Sequence, residues 1–183
     1  MDALDLRLAQ LDSAYAQAKA GDWRAAQETC ATLGSDPVPA VATVARLDIL
    51  ICQYHLGFTG QIPERALPLL QHLPSSATFT CLGLILLAAG RNGELRVARK
   101  TALYLARLES SAWDLPTVPT FVLLRTDLTT CMVIESADPE PLCAVVEQVL
   151  QLPDLSTDER QSLSSLQERY HERMKANGAG QTS

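Results

Sequence analysis

Aromatic residues are scarce in this chain. They make up 5% of its 183 residues, whereas hydrophobic residues of all kinds make up 47%. A core with so few rings has to be built from Leu, Ala and Val, a composition that favours close-packed helices. The hydrophobic content also excludes a disordered chain. We therefore expect one folded, aliphatic domain, which a chain of this length can form without disulfides or a metal.

Long apolar runs are missing as well. The strongest one, Phe79 to Gly90, is far shorter than the roughly 20 residues needed to cross a bilayer. The N-terminus has neither the basic start nor the apolar run of a secretory signal. The five cysteines include no C-x-x-C pair, a usage that suits a reducing compartment. We expect a cytoplasmic protein without membrane contact, and the excess of Arg over Lys, 12 against 3, indicates a bacterial source.

Signatures of catalysis and of nucleotide binding are also absent. Neither of the glycine-rich phosphate loops, G-x-G-x-x-G and G-x-x-x-x-G-K-[ST], occurs, and G-x-S-x-G and H-E-x-x-H are missing too. A net charge of −6 gives little attraction for phosphates, which disfavours general binding of nucleic acid. We therefore predict that the protein is not an enzyme and has no catalytic residue, no cofactor and no metal site.

The chain does contain a helix-turn-helix phrase that occurs three times. Each copy has a turn glycine, a large apolar residue two positions later and then an alanine; the glycines are Gly21, Gly60 and Gly93. Their spacings of 39 and 33 residues are typical of stacked helical hairpins. Periodicity and capping residues predict nine helices, at about 3–20, 23–33, 41–55, 63–74, 77–89, 93–109, 120–135, 139–152 and from 157 onward.

The last predicted helix has the pattern of a terminal cap. Ser156 to Glu159 is a capping box, and Leu163, Leu166, Tyr170 and Met174 form a narrow apolar stripe on an otherwise charged helix. One face would cover the last repeat while the other meets water. We predict a single domain over residues 1–176 and a flexible tail over 177–183.

The first hairpin resembles a tetratricopeptide repeat at Ala14, Gly21, Trp23, Ala26 and Pro37, and the likeness extends over about residues 3–108. The resemblance implies an all-α, right-handed superhelix of about four stacked antiparallel hairpins and a C-terminal cap helix. Its first helices, near 4–18, 41–55, 77–89 and 121–134, would line a concave groove. It also implies a non-enzymatic interaction module or chaperone-like adaptor that holds a peptide or helix of a partner protein.

Two other functions remain open at this stage. A self-complementary surface would make the protein a structural homo-oligomer. A regulator would instead contact nucleic acid through a basic stripe on one helix face, formed by Arg96, Arg99, Lys100 and Arg107. These four residues and Trp113, on a proline-bordered loop, are the candidate partner-binding residues. Each has an alternative interpretation, an ordinary solvated face for the stripe and a core plug for Trp113.

Two spacings could place metal ligands or a thiol-imidazole dyad on one helix face. Cys52 and His55 are three residues apart, and Glu168 and His171 have the Glu-x-x-His spacing of carboxylate-bridged metal bundles. Both lack the further ligands that such sites need. Core packing for Cys52 and a solvated face for Glu168 are therefore the favoured interpretations.

Overall fold

A computed structural model describes residues 3–73, 75–110, 121–126, 129–134 and 139–179. Over these residues the chain is predominantly helical, as predicted, with one β-hairpin between α6 and α7. The helices are α1 (Ala3–Lys19), α2 (Trp23–Leu33), α3 (Pro39–His55), α4 (Ile62–Ala66), a 3-10 helix (Leu67–Gln71), α5 (Ser75–Asn92), α6 (Leu95–Ser110), α7 (Pro139–Leu150) and α8 (Thr157–Ala179).

Three helices end in the same C-cap. Gly21, Gly57 and Gly93 have φ angles of 84°, 89° and 72°, in the left-handed region that favours glycine. In each cap the glycine N–H donates to the carbonyl three residues back, and the next N–H donates to the carbonyl five residues back. This pair of hydrogen bonds is the Schellman motif, which satisfies backbone carbonyls that have no partner within the helix at its C-terminal end.

The Schellman caps correct the predicted period. The second turn is built on Gly57 and not on Gly60, because only Gly57 adopts the left-handed conformation that the cap requires. The differences 57 − 21 and 93 − 57 are both 36 residues. The repeat is therefore uniform, in place of the predicted spacings of 39 and 33.

The core follows the same 36-residue period. Positions on the two helices of each unit are buried in all three copies. The equivalent sets are Leu11, Leu47 and Gly83; Ala14, Leu50 and Leu86; Ala26, Ile62 and Ala98; Cys30, Ala66 and Ala102; and Leu33, Leu69 and Leu105. Since α2 packs against α3 and α4 against α5, the three units form consecutive stacked helical hairpins.

The helix predicted over 63–74 is wrong in its second half. The α-helix α4 ends at Ala66, and the chain continues as a 3-10 helix over Leu67–Gln71. Pro68 explains the change, because proline has no backbone N–H and its ring clashes with the carbonyl four residues earlier in an α-helix. The second helix of this unit is therefore shorter than that of its neighbours.

The helix predicted over 120–135 is also wrong. Strands β1 (Phe121–Thr126) and β2 (Thr129–Ile134) form an antiparallel pair, with Phe121 opposite Ile134 and Thr126 opposite Thr129. Half of the strand residues are Val, Ile or Thr, which pack better on a pleated sheet than in a helix. The fourth helical hairpin consequently pairs α7 with α8.

The start and the buried stripe of α8 are as predicted, but α8 is the second helix of the fourth hairpin and not an additional cap. The Ser156 N–H donates to Glu159 Oε2 at 2.9 Å, and the Glu159 N–H donates to Ser156 Oγ at 3.2 Å. Leu163, Leu166 and Tyr170 are buried where α8 meets α6 and α7. The helix runs to Ala179, beyond the predicted start of the tail at Asn177.

α5 is the most enclosed helix, as its nearly continuous apolar sequence predicts. Every residue from 80 to 89 is buried. The helix has neighbours on several sides, since α3, α4, α6 and α7 all pack against it. Among the described residues, no helix is both long enough and apolar enough to cross a membrane.

Candidate functional site

The hairpin lies on the helices that the sequence predicts to line a groove. β2 lies against α1 and α3, and β1 lies against α5. These are the first helices of the three stacked units. We call the sides of α1 and α3 that meet β2 the first-helix face. In this structure extended backbone of the chain itself therefore covers that face.

The hairpin depends on this packing. It is a two-stranded sheet, and an isolated two-stranded hairpin is at best marginally stable in water. Over the part of the chain that the structure describes, β1 and β2 pair only with each other, so each strand has one edge that no further strand covers. The helices beneath supply the packing surface that such a hairpin needs.

One residue of the basic stripe, Arg99, forms ion pairs within the fold. Arg99 donates to Asp154 Oδ2 at 2.8 Å and to Glu159 Oε2 at 2.7 Å, and thereby connects α6 with the start of α8. Arg96, Lys100 and Arg107 are exposed, although Arg107 also makes an interaction within the chain. Arg99 is therefore committed to a contact within the fold, and the stripe is narrower than the sequence predicts. Trp113 lies outside the described residues.

The Arg99 contact makes the start of α8 sensitive to acid. The Arg99 guanidinium and the Ser156 N–H lower the pKa of Glu159 to about 2. A carboxylate whose pKa is depressed in the folded state contributes stability above its unfolded pKa of about 4.3, and that contribution is lost as the pH falls toward 2. We expect Glu159→Gln to lower stability at pH 7 and to flatten its pH dependence between about pH 5 and 2.

Urea unfolding at a series of pH values measures this effect. Glu168→Gln is the matched control, because Glu168 is an exposed glutamate on the same helix. If the free energy of unfolding depends on pH to the same extent in Glu159→Gln and in Glu168→Gln, the contact between Arg99 and Glu159 does not contribute to stability.

The spacing of Cys52 and His55 does not form a dyad. Cys52 is fully buried, and burial together with the nearby Asp48 carboxylate raises the pKa of its thiol to about 12. The His55 ring instead stacks on Trp23, with centroids 3.7 Å apart and planes 7° from parallel. Core packing of Cys52 is thus confirmed, and His55 covers the residue that begins α2.

A different set of potential ligands meets between α7 and α8. Cys143 Sγ lies 3.3 Å from His171 Nε2 and 4.0 Å from Glu147 Oε1. One ligand atom from each of the three residues lies within 4.8 Å of the other two. We call Cys143, Glu147 and His171 the α7–α8 cluster. Gln167 Nε2 donates to Glu147 Oε1 at 3.0 Å and orients that carboxylate.

Sequence reasoning missed this cluster for a specific reason. Cys143 and Glu147 are four residues apart on one helix, and Gln167 and His171 are four apart on the next, so each pair shares a helix face. That signal is visible in the sequence. However, the predicted pairing of residues 139–152 with a helix over 120–135 places the two faces apart, and Glu168 is then the only potential ligand that spacing along the chain pairs with His171.

The cluster is not arranged as an activated nucleophile. Burial, and to a lesser degree the Glu147 carboxylate, raise the pKa of the Cys143 thiol. Reactive cysteines have lowered pKa values, because the thiolate is the nucleophile. The neighbouring imidazole does not reverse this, so the thiol stays protonated at neutral pH unless a stronger positive charge displaces the proton.

The chain matches no protein-family model, no curated protein and no solved structure. The candidate sites therefore rest on the geometry of this chain.

Proposed function

We propose that the protein is a non-enzymatic binding module, of the adaptor or chaperone type, whose first-helix face holds an extended segment of a partner protein. The supporting observation is that β2 already lies against α1 and α3. A face that packs against extended backbone of its own chain can pack in the same way against an extended segment of another chain.

The repeat supports the same proposal. Identical Schellman caps at 36-residue intervals and a core with the same period agree with a tetratricopeptide-like stack. In such a stack the first helices form a continuous surface for a ligand. The hairpin then acts as an intramolecular ligand that a partner segment replaces.

The displacement can be measured with the chain's own segment as the probe. Residues 119–136 are replaced by a short Gly-Ser linker, and a fluorescently labelled peptide of sequence 119–136 is added in trans. We expect the peptide to bind the linker variant and to bind the full chain at least about tenfold more weakly, because the tethered hairpin competes. Fluorescence anisotropy gives both affinities, and circular dichroism checks that the linker variant retains its helices.

A scrambled peptide of the same composition is the control. Equal binding of the native and scrambled peptides would contradict a face that recognises this segment. A linker variant that forms stable dimers and ignores the peptide would favour the structural homo-oligomer, which light scattering detects. Capture from a cell lysate with the linker variant, eluted at rising salt, would then identify the partner and reveal any nucleic acid.

A further inference from the structure

The α7–α8 cluster combines three different donor types. A thiol, a carboxylate and an imidazole are the side chains that bind zinc in proteins, and together they suit a borderline-soft divalent ion. The cluster is composed of Cys143 and Glu147 on α7 and His171 on α8. Because the two helices pack closely, the ligand atoms are held by the fold and not by mobile loops.

The distances match a tetrahedral site. With Zn–S of about 2.3 Å and Zn–N or Zn–O of about 2.0–2.2 Å, tetrahedral angles place the sulfur about 3.6 Å from each of the other two ligand atoms. The observed separations are 3.3 Å from Cys143 Sγ to His171 Nε2 and 4.0 Å from Cys143 Sγ to Glu147 Oε1. For these two separations, shifts of a few tenths of an ångström suffice. The third pair, His171 and Glu147, lies within 4.8 Å, and rotation of these two exposed side chains can bring it to the tetrahedral separation of about 3.4 Å.

The residues around the cluster hold one ligand in place and leave two ligands open to solvent. Gln167 already donates a hydrogen bond to the Glu147 carboxylate, the kind of outer contact that orients a metal ligand. The Cys143 side chain is buried, with 4% of its surface exposed, while Glu147 and His171 lie at the surface. A hydrated ion can thus enter from solvent and bind the sulfur last.

We propose that Cys143, Glu147 and His171 bind one divalent transition-metal ion, with Zn²⁺ as the best match to this donor set and water in the fourth position. Binding breaks the S–H bond of Cys143, forms a metal–thiolate bond and releases the thiol proton to solvent. The ion would join α7 to α8 at the last helical hairpin. This proposal is independent of ligand binding at the first-helix face, and it reverses the prediction of no metal site.

Titration of the full chain with Co²⁺ tests the proposal. Co²⁺ replaces Zn²⁺ in such sites and is visible by absorption, with a near-ultraviolet band that arises only from cobalt–thiolate bonding. We expect saturation at one equivalent, this thiolate band, and its loss when Zn²⁺ is added. Cys143→Ser should abolish the band, and Glu147→Gln and His171→Gln should each weaken binding by about 100-fold or more, beyond the 10–100-fold typical of an outer contact.

Matched variants separate a built site from adventitious binding. Cys81→Ala removes another buried cysteine, His72→Gln another exposed histidine, and Glu168→Gln the carboxylate of the neighbouring Glu-x-x-His spacing. We expect all three to bind Co²⁺ as the wild type does. Absence of a thiolate band, or equal affinities for the cluster variants and their controls, would overturn the proposal. The surface variants of Glu147 and His171 keep the test decisive if Cys143→Ser does not fold.

Discussion

Ending the chain at Leu155 is expected to leave a protein that aggregates and no longer unfolds cooperatively. The truncation removes α8, whose Leu163, Leu166 and Tyr170 are at most 2% exposed. Burial of a large apolar side chain contributes about 1.5–3 kcal/mol, so the three together contribute about 5–9 kcal/mol. The whole free energy of unfolding of a domain is about 5–15 kcal/mol, so loss of α8 removes a large part of it.

The surfaces that α8 leaves behind add to the effect. Apolar faces of α6 and α7 would become exposed together, and large apolar patches on a monomer promote association. Size-exclusion chromatography and thermal unfolding monitored by circular dichroism measure both consequences. A chain that ends at Ala176 is the control and should behave as the full chain does. A soluble, cooperative protein ending at Leu155 would contradict the packing of α8 on α6 and α7.

A single substitution gives a graded version of the same test. Leu166→Ala should lower the free energy of unfolding by about 2–5 kcal/mol, because Leu166 is fully buried. Leu6→Ala makes the same chemical change on a helix where the leucine is 49% exposed, and it should change stability by less than about 0.5 kcal/mol. If Leu166→Ala and Leu6→Ala lower the free energy of unfolding by similar amounts, α8 is not packed as described.

Gly90→Ala is expected to destabilise the protein although it replaces a helical glycine by the best helix former. A Cβ atom at position 90 would lie 2.9 Å from Val145 Cγ1 and closer still to Cγ2. Val145 is β-branched and strongly prefers one rotamer in a helix, so α5 and α7 must move apart. Overpacking costs about 1–3 kcal/mol, which exceeds the gain of about 0.5–1 kcal/mol from helix propensity.

Gly83→Ala is the matched control on the same helix. Its Cβ would meet only Leu142 Cδ2, at an ordinary 3.7 Å, so we expect it to be neutral or stabilising by up to about 1 kcal/mol. Urea unfolding of both variants gives the comparison. The double variant Gly90→Ala with Val145→Ala should recover stability relative to the sum of the single effects. Equal changes in the free energy of unfolding for Gly83→Ala and Gly90→Ala would contradict the close approach of α5 and α7 at Gly90.

The helical part of the fold could largely be predicted from the sequence. Bounds such as those of α2 and the capping box at Ser156 are set by local signals, because caps and turn residues act within a few positions of themselves. The nearly continuous apolar pattern of α5 likewise predicts its burial. These signals need no knowledge of which helix packs against which.

The misplaced turn and the missed hairpin have different causes. Gly57 and Gly60 are both turn glycines in sequence, and only backbone conformation shows that the cap is built on Gly57. The segment from 121 to 134 is apolar and short enough that helix and strand patterns overlap, and tertiary contacts with α1 and α3 accompany the strand. Pro68, by contrast, is a local signal in the sequence for the end of α4, because a proline cannot continue an α-helix undisturbed.

The candidate sites depended on tertiary pairing. Arg99 matches its neighbours on the stripe in sequence, but its contacts with Asp154 and Glu159 span more than 50 residues of chain. The α7–α8 cluster requires that α7 pair with α8, and the sequence predicted a different neighbour for α7. The sequence shows which residues share one face of a helix. Which other helix packs against that face depends on the packing of the whole core.

In the proposed function, the position of the hairpin on the first-helix face weakens the apparent affinity for every partner segment. Ten residues separate α6 from β1, and four separate β2 from α7, so the hairpin would compete from within the same chain and independently of protein concentration. If it occupies the face about 99% of the time, a partner with an intrinsic Kd of about 10 nM shows an apparent Kd of about 1 μM. In the proposed function, weak and non-specific segments are therefore disfavoured, and a true partner occupies half of the protein only when its concentration reaches that level.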